Sequence, residues 1–325
     1  MIQYKVVITK GETFMDKDAV QNQPIIRYED EQLIETEDSY VTEFPLTIMV
    51  NGKEFATVIC SPTHLEELVI GFLASEGAIY KKEEIKHLQI DDSKGFAHVE
   101  LTKSLSDRFE YSTKRMVASC CGKSREFYFQ NDAAIAKTSM SNIILTPRQI
   151  LNMMTGLQSA STLFKQTGGL HNAAISDGEA FFEHRQDIGR HNALDKLYGF
   201  CLTHQIPVRN KVLIFSGRIS SEILLKAAKI GVGVILSKSA PTTLAITLAH
   251  DLNITAIGFI RGDSFNIYSH PERVKGVKNE FIINSFFTPY FYLYRIFFDY
   301  LILKALKNIA LLYIHVFCCI IAICH

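Results

Sequence analysis

Two hydrophobic rhythms succeed one another along the chain. In the first, Pro45 to Cys60 (PLTIMVNGKEFATVIC) holds two β-forming runs around Asn51-Gly52. That dipeptide is a strong signal for a two-residue hairpin turn. Thr63 to Ala78 then spaces Leu65, Leu68, Val69, Phe72 and Leu73 on one face of a helix. Thr63 is the predicted cap and Glu66 completes a capping box. Phe96 to Leu101 returns to strict alternation, the mark of a half-buried strand. Pro24 to about Arg108 therefore reads as a small α+β unit, a sheet with one packed helix.

Pro147 to Phe164 reads as a helix with proline in its first turn, and Gly168-Gly169 stops it before a short strand, His171 to Ser176. The second rhythm follows. Lys211–Phe215, Val232–Leu236 and Ile254–Ile260 are apolar runs of strand length, separated by helical patterns at Ser220–Lys229 and Pro241–Asp251. Alternating elements of this size predict parallel strands with right-handed crossovers and helices on both faces.

The 325 residues are 47% hydrophobic and 21% charged, a globular composition. Lys+Arg and Asp+Glu are 34 each, which argues against a generally basic nucleic-acid binder. The seven cysteines are odd in number, two pairs are adjacent, and no apolar h-region opens the chain. A reducing, cytoplasmic setting is expected, not a secreted disulfide framework. No C-x-x-C occurs, so no zinc site is expected. Near Val274 the composition shifts, and Ile309 to Cys324 (IALLYIHVFCCIIAIC) is almost continuously apolar. A tail anchor, a core or interface helix, and an atypical, out-of-frame extension all stand as readings. The run is short of the ~20 residues of a membrane span. The lack of turn signals and amphipathic period favours the extension.

Ligands of open parallel sheets bind beyond the carboxyl ends of the strands. Here those ends are Ser216-Gly217-Arg218, Ser237 to Thr243 (SKSAPTT) and Arg261-Gly262-Asp263. Two of them lead into helix N-termini, whose N–H groups suit an anion, and Arg218, Lys238 and Arg261 add positive charge. A phosphate-bearing ligand and a set of ordinary capped turns both fit. Neither a Walker loop nor G-x-G-x-x-G is present. Asp187 to Lys196 (DIGRHNALDK) gathers Arg190, His191 and Asn192 at a predicted helix start. It offers a cation, a proton carrier and an amide, or else a capped helix with a structural histidine. His171-Asn172 can approach the same cleft. Cys120-Cys121-Gly122 lies among Lys114, Arg115, Lys123 and Arg125, cations that favour thiolate; inert, semi-buried cysteines are the alternative.

Taken in order, EFPLTIMVNG, LVIGFLASEG, SCCGKS, TGGLHNAA, QDIGRHNALDK, FSGRISSEI, KSAPTTLAI and GFIRGDSFNIYSHPER resemble the formate dehydrogenase accessory sulfurtransferase (FdhD) family, over about Pro24 to Arg273. The resemblance implies an α/β fold: a cytidine-deaminase-like three-layer α/β domain with a smaller N-terminal α+β domain. The deaminase zinc signature is absent, so deaminase chemistry is not implied. It also implies a carrier that accepts sulfur from a cysteine desulfurase as a persulfide. The carrier passes that sulfur to the molybdenum of bis-molybdopterin guanine dinucleotide, a client ligand and not an intrinsic cofactor, for the formate dehydrogenase apo-enzyme. Where the family shows C-G-x-C, this chain has Cys121-Gly122-Lys123-Ser124, so Cys121 is the expected persulfide carrier and Cys120 an auxiliary thiol. Phe259, Ile260, Arg261, Gly262, Asp263 and Ser264 match the family's cofactor-binding segment. Ser216, Gly217, Arg218, Ser239, Thr242, Arg190 and His191 complete the expected cofactor cleft. A homodimer is implied as well.

The expected organisation is an N-terminal extension (1–23), the small domain (24–108), a mobile cysteine loop (109–129), the cofactor-binding domain (130–273) and a hydrophobic extension (274–325). The leading functional reading is a cytoplasmic sulfurtransferase. Its rivals are a non-catalytic chaperone for the molybdenum cofactor and a nucleotide-binding regulatory module.

Overall fold

A computed structural model describes residues 19–103, 116–117, 136, 138–179 and 181–277. The chain divides into two compact units, Met1–Lys275 and Gly276–His325, and the elements below belong to the first. The cysteine pair and the apolar run at 309–324 lie outside the described residues.

The first unit opens on a two-stranded antiparallel ribbon, β1 (Val20–Glu29) and β2 (Gln32–Val41). β1 thus begins inside the predicted extension, and Thr42 N–H bonds the carbonyl of Ala19, a buried residue. Five strands follow: β3 (Phe44–Val50), β4 (Lys53–Cys60), β5 (Ile85–Asp91), β6 (Phe96–Leu101) and β7 (Met116–Val117). They form one sheet in the order β5-β6-β3-β4-β7. Asn51 and Gly52 turn β3 into β4 with φ of 50° and 77°, the backbone a type I′ hairpin requires. β7 pairs in parallel with β4 at Thr57 and Val58, so part of the expected loop is strand.

Alternate residues of this sheet, such as Leu46, Ile48, Val58, Ala97 and Val99, pack against helix α1 (Leu65–Ser75) in one core. The predicted cap of α1 is not formed. His64, at φ 50°, holds the N-cap position without a side-chain bond. The Thr63 hydroxyl accepts a hydrogen bond from the buried Lys196 ammonium at 3.2 Å instead. A buried cation needs oxygen acceptors more than a helix end needs this cap.

The second sheet has the order β13-β12-β11-β10-β8-β9. Its strands are β8 (His171–Ser176), β9 (Phe181–Asp187), β10 (Val212–Phe215), β11 (Val234–Ser237), β12 (Thr255–Arg261) and β13 (Ser264–Ile267). The expected parallel pairing holds for β10, β11 and β12. β8, β9 and β13 run antiparallel to their neighbours, making the sheet mixed. The connections β8–β9 and β12–β13 are hairpin turns, and a parallel return needs a crossover of a dozen or more residues.

Helices α4 (Arg190–Thr203), α5 (Ser221–Ile230) and α6 (Thr243–Asp251) bury Ala193, Leu194, Leu197, Ile223, Leu224, Ala227, Ala245 and Ala249 on one face of this sheet, over Ala173, Leu213, Phe215 and Ile235. Helix α2 (Pro147–Ala160) contacts β8, β10, β11 and β12 with a separate apolar face, Ile150, Met153, Met154 and Leu157. The predicted helix through Phe164 is broken. Ser161 leaves helical geometry at ψ 62°, its hydroxyl bonds the Leu157 carbonyl at 2.6 Å, and a short helix α3 (Thr162–Thr167) follows. The unit closes where Leu145 pairs with Val274, with the buried Arg273 guanidinium bonded to Ser141, Asn253 and Thr255. The break between units falls after Lys275, two residues beyond the expected boundary.

Candidate functional site

The register of the second sheet brings distant segments to one edge. His171 pairs with Asp187, Phe215 with both Ala173 and Ser237, and Arg261 with Ser264. The carboxyl ends of β9, β10, β11 and β12 therefore share an edge with the starts of β8 and β13. The segments TGGLHN, QDIGRHN, FSGR, SKSAPT and FIRGDS all meet it. Helices α4, α5 and α6 begin there too, so three helix N-termini point positive partial charge at one region.

Internal hydrogen bonds stitch the loops together. Ser216 exchanges two bonds with Asn172: its N–H donates to the Asn172 carbonyl and its Oγ accepts the Asn172 N–H, each at 2.9 Å. The Ser237 hydroxyl donates to the Gly217 carbonyl at 2.7 Å and accepts the Ser239 N–H at 2.9 Å. Ser239 Oγ lies 3.5 Å from the Ser216 carbonyl. Ile219 and Pro241 bridge in parallel, and the Thr242 N–H donates to the Ile219 carbonyl. Thr242 Oγ1 and Ser220 Oγ cap α6 and α5. Several hydroxyls are thus committed to shaping the edge, leaving Arg218, Lys238 and Arg261 exposed around it. Gly217 is needed for closeness: a Cβ there would come within 2.9 Å of the Phe215 ring and 3.5 Å of His171 Nδ1. The Asn172 side chain is buried, and its Oδ1 has no hydrogen-bond partner among the described residues.

The third loop is a hairpin turn, not a helix start. Gly262, at φ 52°, is the first central residue of the two-residue turn between β12 and β13. Three residues before it, Phe259 also has φ 52°, an uncommon backbone for an aromatic residue. The strain coincides with a register shift between Gly258 and Arg261. Gly258 approaches so closely that a Cβ would sit 2.8 Å from the Ser239 carbonyl oxygen. The Phe259 ring is left exposed with the Arg261 guanidinium 5.1 Å from its centroid, while Ile260 is buried. Gly262, Asp263 and Ser264 are exposed in the turn, and the Ser264 hydroxyl bonds the Arg261 carbonyl.

The start of α4 sends its three polar residues to different surroundings. Arg190 stays at the edge, and burial of His171, then the Arg190 charge, lower the His171 pKa, partly opposed by Asp187. His191 is half-buried. Its Nε2 lies 2.9 Å from Glu222 Oε2 in the first turn of α5, and burial pushes its pKa down despite that carboxylate. Asn192 is buried and donates to the Ile59 carbonyl and to Asp187. The polar helix start is largely a seam with the first sheet.

That seam was not legible as a site. Asp187 and Lys196 are fully buried and 2.7 Å apart. Asp187 also accepts the N–H groups of Ser61 and Gly189 at 2.9 and 2.7 Å, and Lys196 donates to the Ser61 carbonyl at 3.1 Å. Asp195 accepts from the Ser75 hydroxyl at 2.6 Å and pairs with Lys226. Arg185 forks onto Glu67 at 2.5 and 2.8 Å. The one sequence signal was Asp195-Lys196 between Leu194 and Leu197, charges where a helix in an apolar setting should be uniformly buried.

Cys120 and Cys121 lie outside the described residues. The described free cysteines, Cys60 and Cys201, are buried, and burial pushes both thiols up to about 12. Among the described residues no group of three or more His, Cys, Asp or Glu could hold a metal ion, and no helix is long and apolar enough to cross a membrane.

Comparison with known proteins bears on this edge. A solved structure described as a putative formate dehydrogenase accessory protein from Desulfotalea psychrophila superposes with a TM-score of 0.63 at 24% identity, over 79% of this chain and 99% of that one. It shows the shared mixed α/β fold. A protein named sulfur carrier protein FdhD from Staphylococcus haemolyticus is 87% identical over 264 residues, 81% of this chain and 100% of that relative. One of the same name from Staphylococcus aureus (strain Newman) is 80% identical over 260 residues, 80% of this chain and 98% of that relative. The family model described as the FdhD/NarQ family matches residues 41–275, which contain both sheets and the whole edge, and the chain belongs to that family.

Proposed function

We propose that this protein is a sulfur carrier for formate dehydrogenase maturation, with Cys121 as the carrying thiol and the stitched sheet edge as the seat of a guanine-dinucleotide molybdenum cofactor. The observation that carries the reading is the edge itself: three helix N-termini, Arg190, Arg218, Lys238 and Arg261 around loops tied to one another. Such donors fit phosphate. The unfilled Asn172 Oδ1 adds an acceptor suited to an N–H of a base, and the exposed Phe259 ring a surface for stacking. Arg190 belongs to this proposed cleft. The names of the relatives support the sulfur-carrying half of the reading.

Chemically, the Cys121 thiolate attacks the outer sulfur of a persulfide on a cysteine desulfurase. The donor S–S bond breaks, its cysteine leaves as thiolate, and Cys121 carries one added sulfur. Lys123 and Arg125 offset the negative charge of that persulfide. Cys120 is an auxiliary thiol. Cleavage of the Cys121 S–S bond then returns the Cys121 thiolate and passes the outer sulfur to the molybdenum cofactor, which is cargo for the apo-enzyme and would supply the two metal electrons that make this sulfur a sulfido ligand. Sulfurtransferase chemistry, a cytoplasmic location and a homodimer belong to this reading, as does a deaminase-type relationship of the larger sheet and its two helical layers.

The test is peptide mass spectrometry after incubation with cysteine desulfurase and cysteine. One added sulfur on Cys121, reversed by reductant and absent from Cys121→Ala, is the expected result. No added sulfur, with the donor active on a control acceptor, would leave a chaperone that only binds the cofactor. Guanosine diphosphate binding should survive in Cys121→Ala and weaken in Arg261→Ala. Unchanged binding in Arg261→Ala would remove the edge as the cofactor seat.

A further inference from the structure

The β1–β2 ribbon stands apart from the site just described. Its order is β1-β2, with no third strand among the described residues. A lone two-stranded ribbon is marginal in water, and a long exposed one invites a partner. Its outer half carries exposed apolar side chains among the charged ones. Cross-strand pairing sets Tyr28 opposite Leu33 and Ile26 opposite Glu35 on one face, with Arg27 opposite Ile34 on the other. Ile26, Tyr28 and Leu33 are 69%, 70% and 75% exposed, an apolar strip open to solvent.

Charge decides what can cover the strip. From Val20 to Val41 the ribbon carries Glu29, Asp30, Glu31, Glu35, Glu37 and Asp38 against the single cation Arg27. Anionic lipid and nucleic acid are repelled by such a surface. A second ribbon related by twofold symmetry would bring the same acids face to face. The complementary surface is a protein with an apolar strip bordered by Lys and Arg.

Position decides which protein. The ribbon is rooted beside the sheet edge. β2 contacts α3, and Gly169 lies so near Val41 that a Cβ would come within 2.9 Å of a Val41 methyl. Gly169 is two residues before His171, the start of β8. The apolar strip lies toward the tip, about 26 Å of strand from that root, so the ribbon would hold a protein at the end of an arm that starts beside the cleft. We infer that the β1–β2 ribbon is a docking arm for the cofactor-free enzyme that receives the cleft's ligand, gripped through Ile26, Tyr28 and Leu33 and the surrounding acids. This rests on the cofactor-seat reading above; it does not depend on which cysteine carries sulfur.

The experiment compares the full chain with I26S/Y28S/L33S and, separately, E35K/E37K/D38K. Binding to a purified, cofactor-free formate dehydrogenase catalytic subunit is measured alongside sedimentation, circular dichroism and desulfurase loading of Cys121. The substituted side chains of the first variant are exposed; in the second, Glu35 and Glu37 are exposed and Asp38 is half-buried, so either variant can report if the other fails to fold. At least about tenfold weaker binding is expected in each, as for central interface residues, with weakening of the wild-type complex by added salt. Oligomeric state and Cys121 loading should not change. Undiminished binding by the folded variants overturns the inference. So does a changed oligomeric state, which would make the ribbon a contact between copies. Lost desulfurase loading with enzyme binding intact would instead assign the arm to the sulfur donor, and also overturns it. If wild-type Cys121 takes up no sulfur while ribbon-dependent binding persists, the carrier reading fails and the docking arm stands.

Discussion

Gly71 of α1 and Gly199 of α4 sit where the two helices cross backbone against backbone. A Cβ on Gly71 would lie 1.8 Å from the Asp195 carbonyl oxygen, and one on Gly199 would lie 1.9 Å from that of Glu67. No side-chain rearrangement relieves a clash with main chain. The contact joins the cores of the two sheets, and Tyr198 packs against both.

Gly71→Ala or Gly199→Ala should therefore destabilise the protein by roughly 3 kcal/mol or more, or prevent folding. At an ordinary helix position the same change would stabilise by a few tenths to 1 kcal/mol. Urea denaturation followed by circular dichroism measures the difference. A loss under about 1 kcal/mol would mean the helices do not cross this closely.

The Asp187–Lys196 pair holds the β4–α1 connection to the start of α4 through Ser61 and Gly189. Removing one partner leaves a buried, uncompensated charge, so Lys196→Met or Asp187→Asn should cost about 3–5 kcal/mol. The double variant Asp187→Leu/Lys196→Met should cost less than the sum of its single changes. A double-mutant cycle checks this, and additivity would show the two groups to be uncoupled.

Acid should weaken the fold through histidines held neutral. Partial desolvation and the charges of Arg185, Lys196 and His184 push the His64 pKa from 6.5 down to about 3. Desolvation also lowers His171, His184, His191 and His250. Below their ordinary pKa these groups take up protons in the unfolded chain before they do so in the folded one. Their stability is fully present above 6.5 and, for His64, falls as pH drops toward 3. The urea midpoint should be lower at about pH 5 than at about pH 7.5, and His64→Gln should narrow the gap. An equal gap in that variant would exclude His64 as a contributor.

Thiol labelling should separate the cysteines. Cys60 and Cys201 are buried and pushed up to about 12, so iodoacetamide should leave them unmodified in the native protein near pH 8 and label them after unfolding. Cys121, among four cations in sequence, should label natively. Peptide mass spectrometry reads both. Native labelling of Cys60 or Cys201 would place them nearer to solvent than the fold does.

Local pattern determined much of this molecule. The Asn51-Gly52 hairpin, the strand Phe96–Leu101, the apolar face of α1 and the β10–α5–β11–α6–β12 succession were all legible, because each depends on neighbours within a turn or a strand. The motif set carried the family, and the strand-end positions of Ser216, Ser239 and Arg261 followed from the rhythm around them. What tertiary structure alone decided lies between elements. Antiparallel β8, β9 and β13 bring His171 and Asp187 to the edge occupied by Ser216 and Arg261. Thr63 gave up its predicted cap to bind Lys196, and Asn192 and His191 turned from the cleft to Asp187 and Glu222. Phe259 took a strained backbone next to the close approach of Gly258 to Ser239. Propensity and periodicity act over a few residues along the chain. Buried polar seams and close backbone crossings are settled by groups that meet from more than a hundred residues apart, such as Ser61 and Asp187, and only packing decides them.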